Sequence, residues 1–260
     1  MKFYQVDSFT DKLFKGNPAG VCLVDGQWPQ EILMQSIAAE NNLSETAFVQ
    51  KNGQEWNIRW FAPLAEVDLC GHATLAAAHV LFNHENVNVQ RLHFNSKRGN
   101  LFVEKDASGL LILDFPKDNI LQINLSEEID CFNFTPKQVW RGTEEYMLIA
   151  ENAAQVRDAV CDLEKASKID LSGFIITAEG DSGFDFVSRY FCPKFGINED
   201  PVTGSAHTLL VPYWQGVLNK NTFEAYQASA RGGRLSCSTD GERVKIGGRA
   251  ITFLQGEILL

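Results

Sequence analysis

The chain has 260 residues, of which 45% are hydrophobic and 22% charged, a composition typical of a soluble globular protein. Its formal net charge of −10 argues against nucleic acid and anionic membranes as partners. The N-terminus carries no apolar run of signal-peptide length and no stretch is long enough to span a membrane, so we expect a cytoplasmic protein.

The six cysteines are widely spaced, with no Cys-x-x-Cys pair and no Cys/His cluster at zinc-ligand spacing. This pattern is typical of reduced thiols in the cytosol. A chain of this length can bury a core without disulfide or metal. We therefore expect no metal site.

The predicted elements of the first half begin with a helix at Pro29–Asn41, where apolar residues recur at helical spacing after the proline. Aromatic and β-branched residues then predict a strand at Ile58–Phe61, which Pro63 ends. Gly71 precedes the run Ala73–Phe82, which favours a helix and is apolar on nearly every face. This second helix should therefore be buried.

The second half repeats this order. A strand is predicted at Phe184–Phe191 and is ended by Pro193, and Gly204 opens a second apolar run at Ala206–Trp214. Pro212 lies inside that run, so we expect a shorter or kinked helix.

Short alternating strands with turn signals follow each helix. The turn signals are Arg98-Gly99, Asp106-Ala107-Ser108-Gly109, Arg231-Gly232-Gly233 and Thr239-Asp240-Gly241. The chain becomes polar between Leu113 and Lys137, where we place a domain crossover. We expect an N-terminal domain at 1–117 and a C-terminal domain at 118–250, with the last strand, about 251–260, packing onto the first domain.

A self-comparison aligns the two halves at nearly one offset. The matched segments are Arg59-Trp60-Phe61-Ala62-Pro63 with Arg189-Tyr190-Phe191-Cys192-Pro193, Glu66 and Gly71-His72-Ala73 with Glu199 and Gly204-Ser205-Ala206, and Ser96-Lys97-Arg98-Gly99 with Ser229-Ala230-Arg231-Gly232. Coincidence among common residues is the alternative. The matches predict an internal duplication, in which each half is a mostly antiparallel sheet curled around one buried helix.

The two predicted helix starts are candidate sites. Free backbone N–H groups and the positive end of the helix dipole make the openings at Gly71 and Gly204 potential anion sites. If the halves face each other, both openings line one cleft. Close packing of a turn onto the sheet is the alternative explanation of the two glycines.

Glu45 is a candidate acid/base because it lies between a predicted helix and the strand Thr46–Val49. Burial in a partly apolar cleft would raise its pKa into a useful range. Exposure without a role is the commoner fate of a glutamate, and residue chemistry alone favours it. At an offset of 130 residues Ile175 stands in place of a carboxylate, so we expect one principal acid/base.

Four motifs occur in the order and spacing of one known family. They are Gly16-Asn17-Pro18-Ala19-Gly20-Val21, Leu43-Ser44-Glu45-Thr46-Ala47-Phe48, Asp68-Leu69-Cys70-Gly71-His72-Ala73-Thr74 and Glu199-Asp200-Pro201-Val202-Thr203-Gly204-Ser205-Ala206. The sequence resembles the PhzF-like isomerases of phenazine biosynthesis. The resemblance implies the α+β fold of diaminopimelate epimerase: two pseudo-symmetric domains, each a mostly antiparallel, barrel-like sheet around a central buried helix.

The resemblance also implies roles for residues of these motifs. It implies proton transfer without a cofactor, with Glu45 as the acid/base. This implication favours the acid/base role of Glu45 over the explanation that it is exposed and has no role. His72 and Asp200 match residues that shape and polarise the site. Gly71, Gly204 and Ser205 match the family's positions around a bound carboxylate. The family further suggests a homodimer.

Related epimerases use two opposed cysteines, one at each helix start. This sequence has Cys70 at the first start but Thr203 at the second, and a threonine cannot replace a thiol base. We therefore expect Cys70 to line the substrate site. The leading hypothesis is an isomerase acting on a small carboxylate- or amine-bearing substrate. A racemase or epimerase using Cys70 and a binding protein without turnover are the alternatives.

Overall fold

The computed structural model describes residues 1–124, 129–195 and 197–260, with Phe195 described by its backbone alone. Residues 125–128 of the expected crossover lie outside the described residues. The chain divides into unit 1, residues 1–114 with 247–260, and unit 2, residues 115–246. The fold is of a mixed α/β kind, with many strands and few helices. None of the helices in the described ranges has the length and apolar character needed to span a membrane.

Unit 1 contains a mostly antiparallel set of strands. They are β1 (Lys2–Ser8), β2 (Asn17–Val24), β3 (Glu45–Asn52), β4 (Glu55–Phe61), β5 (Glu66–Val67), β6 (Arg91–Ser96), β7 (Gly99–Lys105), β8 (Leu111–Pro116) and β18 (Ala250–Glu257). Hydrogen-bonded neighbours follow the order β18, β1, β2, β3, β4, β6, β7, β8, and β5 also pairs with β4. The pairs β2–β3 and β4–β6 are parallel, and the others are antiparallel.

Two helices of unit 1 match the predictions in position. The first, α1 (Glu31–Asn41), packs Met34 and Ile37 into a cluster with sheet residues such as Phe48. Ile32, which shares the predicted apolar spacing, is instead exposed. The second, α2 (Gly71–Asn83), is buried at nearly every position, and this confirms the prediction of a buried helix.

Unit 2 has a similar order of elements. Its strands are β9 (Leu121–Ile123), β10 (Gln138–Arg141), β11 (Glu145–Ile149), β12 (Gly173–Glu179), β13 (Phe186–Cys192), β14 (Ile197–Asp200), β15 (Thr222–Gln227), β16 (Gly233–Thr239) and β17 (Arg243–Gly248). Its helices are α3 (Ala153–Arg157), α4 (Leu163–Ser167) and α5 (His207–Leu218). The pairs β11–β12 and β13–β15 are parallel, whereas β9–β10, β10–β11, β12–β13, β13–β14 and β15–β16 are antiparallel.

Helix α5 departs from its prediction in two respects. It begins at His207 rather than directly after Gly204, and it continues through Pro212 to Leu218. A proline lacks the N–H that would bond the carbonyl four residues earlier. That carbonyl, on Thr208, accepts a hydrogen bond from the backbone N–H of Asp118 at 3.1 Å. Because the freed acceptor has another donor, the helix tolerates the proline and is not cut short.

Each unit carries the same partly buried Arg–Glu ion pair, on β4 and β5 in unit 1 and on β13 and β14 in unit 2. In unit 1, Arg59 Nε and Nη2 donate to the two carboxylate oxygens of Glu66, both at 2.7 Å. In unit 2, Arg189 Nε and Nη2 donate to Glu199 at 2.7 and 2.8 Å. These are the arginines and glutamates that the sequence self-comparison matched. The pair fixes β5 to β4 in one unit and β14 to β13 in the other.

Candidate functional site

Glu45 is the first residue of β3. Helix α1 ends at Asn42 in the left-handed conformation, with φ +49°, so the chain reverses within a few residues. The Asn41 amide then donates to the Thr46 hydroxyl at 3.1 Å and fixes the start of the strand. The Glu45 side chain is 13% exposed, which is low for a glutamate. The junction therefore presents a largely buried carboxylate at a defined position.

The start of α2 brings two further candidates to Glu45. His72 Nε2 lies 3.2 Å from Glu45 Oε2, although the alignment is not that of a hydrogen bond. On the other side of the ring, His72 Nδ1 lies 3.5 Å from the Sγ atom of Cys70. Cys70 is the N-cap residue of α2, and its side chain does not cap the helix. Glu45, Cys70, Gly71 and His72 are thus brought together.

Burial determines the charge state of His72. It lowers the pKa of the imidazole below its ordinary value, and the nearby Glu45 carboxylate offsets this only in part. The ring is therefore neutral at neutral pH. A neutral imidazole beside a carboxylate can donate or accept a proton, which is what acid/base chemistry at this position requires.

Among the described residues, Glu45, Cys70 and His72 form a group of donors close enough together to hold a metal ion. One donor atom each of Glu45, Cys70 and His72 lies within 4.8 Å of the others. However, the imidazole turns Nε2 towards the carboxylate and Nδ1 towards the thiol. A single ion binds one nitrogen of a histidine, and here each nitrogen faces a different one of the other two donors.

Two buried polar residues end β1, one of them in contact with this cluster, and sequence reasoning did not assign them a role. Ser8 is fully buried at the end of β1, and its hydroxyl donates to the backbone carbonyl of His72 at 2.8 Å. Asp7 is also buried, and its carboxylate accepts from the Phe14 N–H at 2.9 Å. The signal was a pair of polar residues at the end of β1, where apolar residues would fill an ordinary core.

In unit 2, Asp200 ends β14 and holds the loop that follows it. Its carboxylate accepts a short hydrogen bond from the hydroxyl of Thr203, the residue that stands where epimerases carry a second cysteine. Gln227 is buried and joins this loop, because its amide nitrogen donates to the Asp200 carbonyl at 2.8 Å and its oxygen accepts from Thr203 N at 2.8 Å. Sequence reasoning missed Gln227, which a strand pattern alone does not distinguish from an exposed polar residue.

Gly204 and Ser205 lie in a turn before α5 rather than in its first helical positions. Their carbonyls accept from the N–H groups of His207 and Thr208 at 3.0 and 2.9 Å. This is the tighter three-residue spacing of a 3₁₀ turn. The expectation that Gly204 directly opens the helix is therefore wrong, because this turn comes first.

Comparison with known proteins identifies the family. Residues 6–256 match the family of phenazine biosynthesis-like proteins. The chain belongs to the PhzF family. An uncharacterized isomerase of Pseudomonas aeruginosa is 45% identical over 100% of this chain and 99% of its own length.

Solved structures agree with this assignment. A PhzF-family phenazine biosynthesis protein of Enterococcus faecalis is 46% identical, with a TM-score of 0.95 over 100% of this chain and 99% of its own. A predicted epimerase of Pseudomonas aeruginosa shares the fold at 20% identity, with a TM-score of 0.74 over 100% of this chain and 99% of its own. The resemblance read from the motifs is confirmed, and membership supports an isomerase at the level of the family.

Proposed function

We propose that the protein is an isomerase that moves a proton within a small carboxylate- or amine-bearing substrate, with Glu45 as the general acid/base and without a cofactor. The observation that carries the proposal is the position of the Glu45 carboxylate, 3.2 Å from His72 in a largely buried setting at the start of α2. The ionised carboxylate takes a proton from one carbon of the substrate and the resulting carboxyl returns it at another. No electrons enter or leave, so the chemistry needs no redox partner.

The site must also stabilise the negative charge that develops when a weakly acidic C–H bond is broken. The backbone N–H groups of Gly71 and His72 stand at the positive end of the α2 dipole, and the neutral imidazole of His72 can donate a hydrogen bond. On the motif match, we further propose that Asp200, Gly204 and Ser205 contact substrate. From the family resemblance, we also expect a cytoplasmic homodimer. Light scattering, which measures the molecular mass in solution, tests the dimer.

The similar strand orders support the duplication. Both units alternate parallel and antiparallel pairings in the same sequence from β2 to β7 and from β11 to β16. The matched Arg–Glu pairs occupy the same place in both. We infer that the two units descend from one ancestral unit.

Exchange of solvent hydrogen tests the role of Glu45. A panel of cyclic and acyclic amino acids is incubated with the protein in D₂O, and deuterium incorporation is followed by NMR. Glu45→Gln should lower the exchange rate by at least about 100-fold, since general acid/base catalysis contributes on that scale. Glu40→Gln, an exposed change in α1, is the matched control and should leave the rate unchanged. Undiminished exchange in Glu45→Gln would refute the assignment.

A racemase or epimerase that uses Cys70 is the second candidate. The 3.5 Å approach of the Cys70 thiol to His72 favours it, because a neighbouring imidazole can take the thiol proton. Thr203 at the matching place in unit 2 speaks against a two-thiol mechanism, since its hydroxyl is bonded to Asp200. The two mechanisms differ in which substitution abolishes exchange.

A further inference from the structure

The strand register of unit 2 relocates the counterpart of Glu45. In unit 1, β3 pairs with β4 so that Thr46 lies opposite Phe61. In unit 2, Phe174 lies opposite Phe191, the residue matched to Phe61. The residue before Phe174 is Gly173, so Gly173, and not Ile175, occupies the place of Glu45. The sequence offset of 130 therefore misassigned this position by two residues.

Gly173 has no side chain, but a carboxylate lies next to it on the neighbouring strand. In unit 1, Glu45 of β3 lies opposite Ala19 of the parallel strand β2. In unit 2, Gly173 of β12 lies opposite Glu145 of the parallel strand β11. Each unit thus places one carboxylate and one small residue at this pair of positions. The strand that carries the acid is β3 in unit 1 and β11 in unit 2.

Glu145 also lies on the corresponding face of its sheet. Successive residues of a strand face opposite sides, and registered neighbours face the same side. Leu148 and Phe174 pack in a hydrophobic cluster with residues of α3, so Glu145 and Gly173 face the other side of the sheet. That other side is the one covered by α5, because the Trp214 indole donates to Thr177 of β12 at 3.1 Å. Glu45 likewise faces α2.

The Glu145 side chain is held by a hydrogen bond from Tyr190, for which Gly173 leaves room. The Tyr190 hydroxyl donates to Glu145 Oε1 at 3.4 Å. A Cβ atom at Gly173 would lie 2.6 Å from the hydroxyl and Cζ of Tyr190, so only glycine leaves room for this phenol. The turn before β11 packs on the first turn of α5, where Gly142 lies against Leu209. These contacts place the turn that leads into Glu145 beside the first turn of α5.

The charges around Glu145 favour its protonated form. Burial is the main cause, followed by the negative charges of Glu144 and Asp118, and together they raise its pKa to about 7. The hydrogen bond from Tyr190 offsets this in part. Facing groups on β13 and β14 are Tyr190 itself, Cys192 and Asp200, which act on the phenol. From α5, the Leu209 side chain packs against Gly142 in the turn before β11.

We propose that Glu145 is the acid/base of unit 2, the counterpart of Glu45 in unit 1, and that Tyr190 positions it. The carboxylate accepts a proton at a carboxyl oxygen and the carboxyl returns it, with no change in oxidation state. Because both the protonated and the ionised form of Glu145 are populated near neutral pH, it can serve as proton donor or acceptor. This inference rests on the proposed isomerase function.

The test uses pH profiles of solvent hydrogen exchange between pH 5 and 9 with the amino-acid panel in D₂O. Glu145→Gln should lower exchange at least about tenfold and remove the limb of the profile near pH 7. Glu144→Gln should keep the rate and the limb but move the limb to lower pH, because it removes a negative charge that raises the Glu145 pKa. Tyr190→Phe removes a bond that stabilises the charged form, so it should move that limb to higher pH. A purely structural role would not shift the limb. Circular dichroism and thermal unfolding verify that each variant is folded.

The outcomes separate the two proposals. If the wild-type protein exchanges hydrogen and Glu145→Gln matches its rate throughout the pH range, the inference is overturned while the isomerase function stands. Absence of exchange in the wild-type protein overturns both. In ¹³C-carboxyl NMR of the glutamate-labelled protein, a titration with its midpoint near 7 should disappear in Glu145→Gln, and its persistence there would also overturn the inference.

Discussion

The Oε2 atom of Glu45 lies 3.2 Å from Nε2 of His72, although β4 and β5 separate the two residues along the chain. Both side chains are largely buried, at 13% and 7% exposure. Burial keeps the imidazole neutral, which spares the site a fixed charge and leaves both groups able to exchange protons. The pair is therefore suited to repeated proton transfer rather than to structural ion pairing.

Cys70 offers the sharpest separation of the two candidate mechanisms. We predict that Cys70→Ser keeps solvent hydrogen exchange within about tenfold of wild type, because serine preserves the size of the side chain and the Glu45 mechanism does not use the thiol. Exchange is measured by NMR in D₂O alongside Glu45→Gln. Loss of exchange in Cys70→Ser with retention in Glu45→Gln would instead establish the thiol mechanism.

The partly buried Arg–Glu pairs should contribute more to stability than exposed pairs. Glu199→Gln leaves the partly buried Arg189 guanidinium without its charged partner, so we predict a loss of about 1–3 kcal/mol in the free energy of unfolding. Glu66→Gln should cost less than Glu199→Gln, because Arg59 keeps its ion pair with Glu31. Glu164→Gln breaks the exposed pair with Lys168 and should cost less than about 0.5 kcal/mol. Urea unfolding measures all three, and equal losses would contradict the expectation.

Sequence reasoning predicted the elements best where the local pattern was strong. The run at 73–82 is apolar on nearly every face, and this pattern is typical of a buried helix, which α2 confirms. The four turn signals fall at strand junctions because glycine and aspartate there set the backbone locally. The motifs also identified the family. These features depend on residues that are close in sequence.

The misses depend on contacts that are distant in sequence. Helix α5 passes through Pro212 because Asp118, far along the chain, donates to the carbonyl that the proline leaves free. Gly173 rather than Ile175 corresponds to Glu45 because the register between strands, not the residue count, sets the match. Gln227 holds the Asp200 loop by side-chain bonds that no local pattern announces.

Gly16 should be far less tolerant of substitution than a glycine of the same conformation elsewhere. Gly16 and Gly53 have similar positive φ values, +66° and +62°, so alanine is strained at both. At Gly16 the new Cβ would also lie 2.1 Å from the backbone oxygen of Ser8, whereas Gly53 faces open space. We predict that Gly16→Ala costs at least about 2 kcal/mol more than Gly53→Ala in urea unfolding. Similar losses would show that the backbone near Ser8 yields easily.

His207 should make stability depend on pH. Its Nδ1 lies 3.0 Å from the Thr203 carbonyl, and its Nε2 is buried without a hydrogen-bond partner, so burial lowers the pKa of the ring to about 4. The unfolded chain, with a histidine pKa of about 6.5, binds more protons than the folded one between these values. Stability should therefore fall as the pH drops from 6.5 towards 4, by about 2 kcal/mol at pH 5 for this group alone.

The variant His207→Asn isolates this contribution. Asparagine can donate to the same Thr203 carbonyl but does not titrate, so the difference in unfolding free energy between pH 8 and pH 5 should shrink by about 2 kcal/mol relative to wild type. The comparison of two pH values within each variant removes the constant cost of the smaller side chain. A residual dependence on pH is expected, because burial also lowers the pKa values of His72 and His79. An unchanged difference in His207→Asn would mean that the His207 ring is already protonated in the folded protein at pH 5, as it is in the unfolded chain.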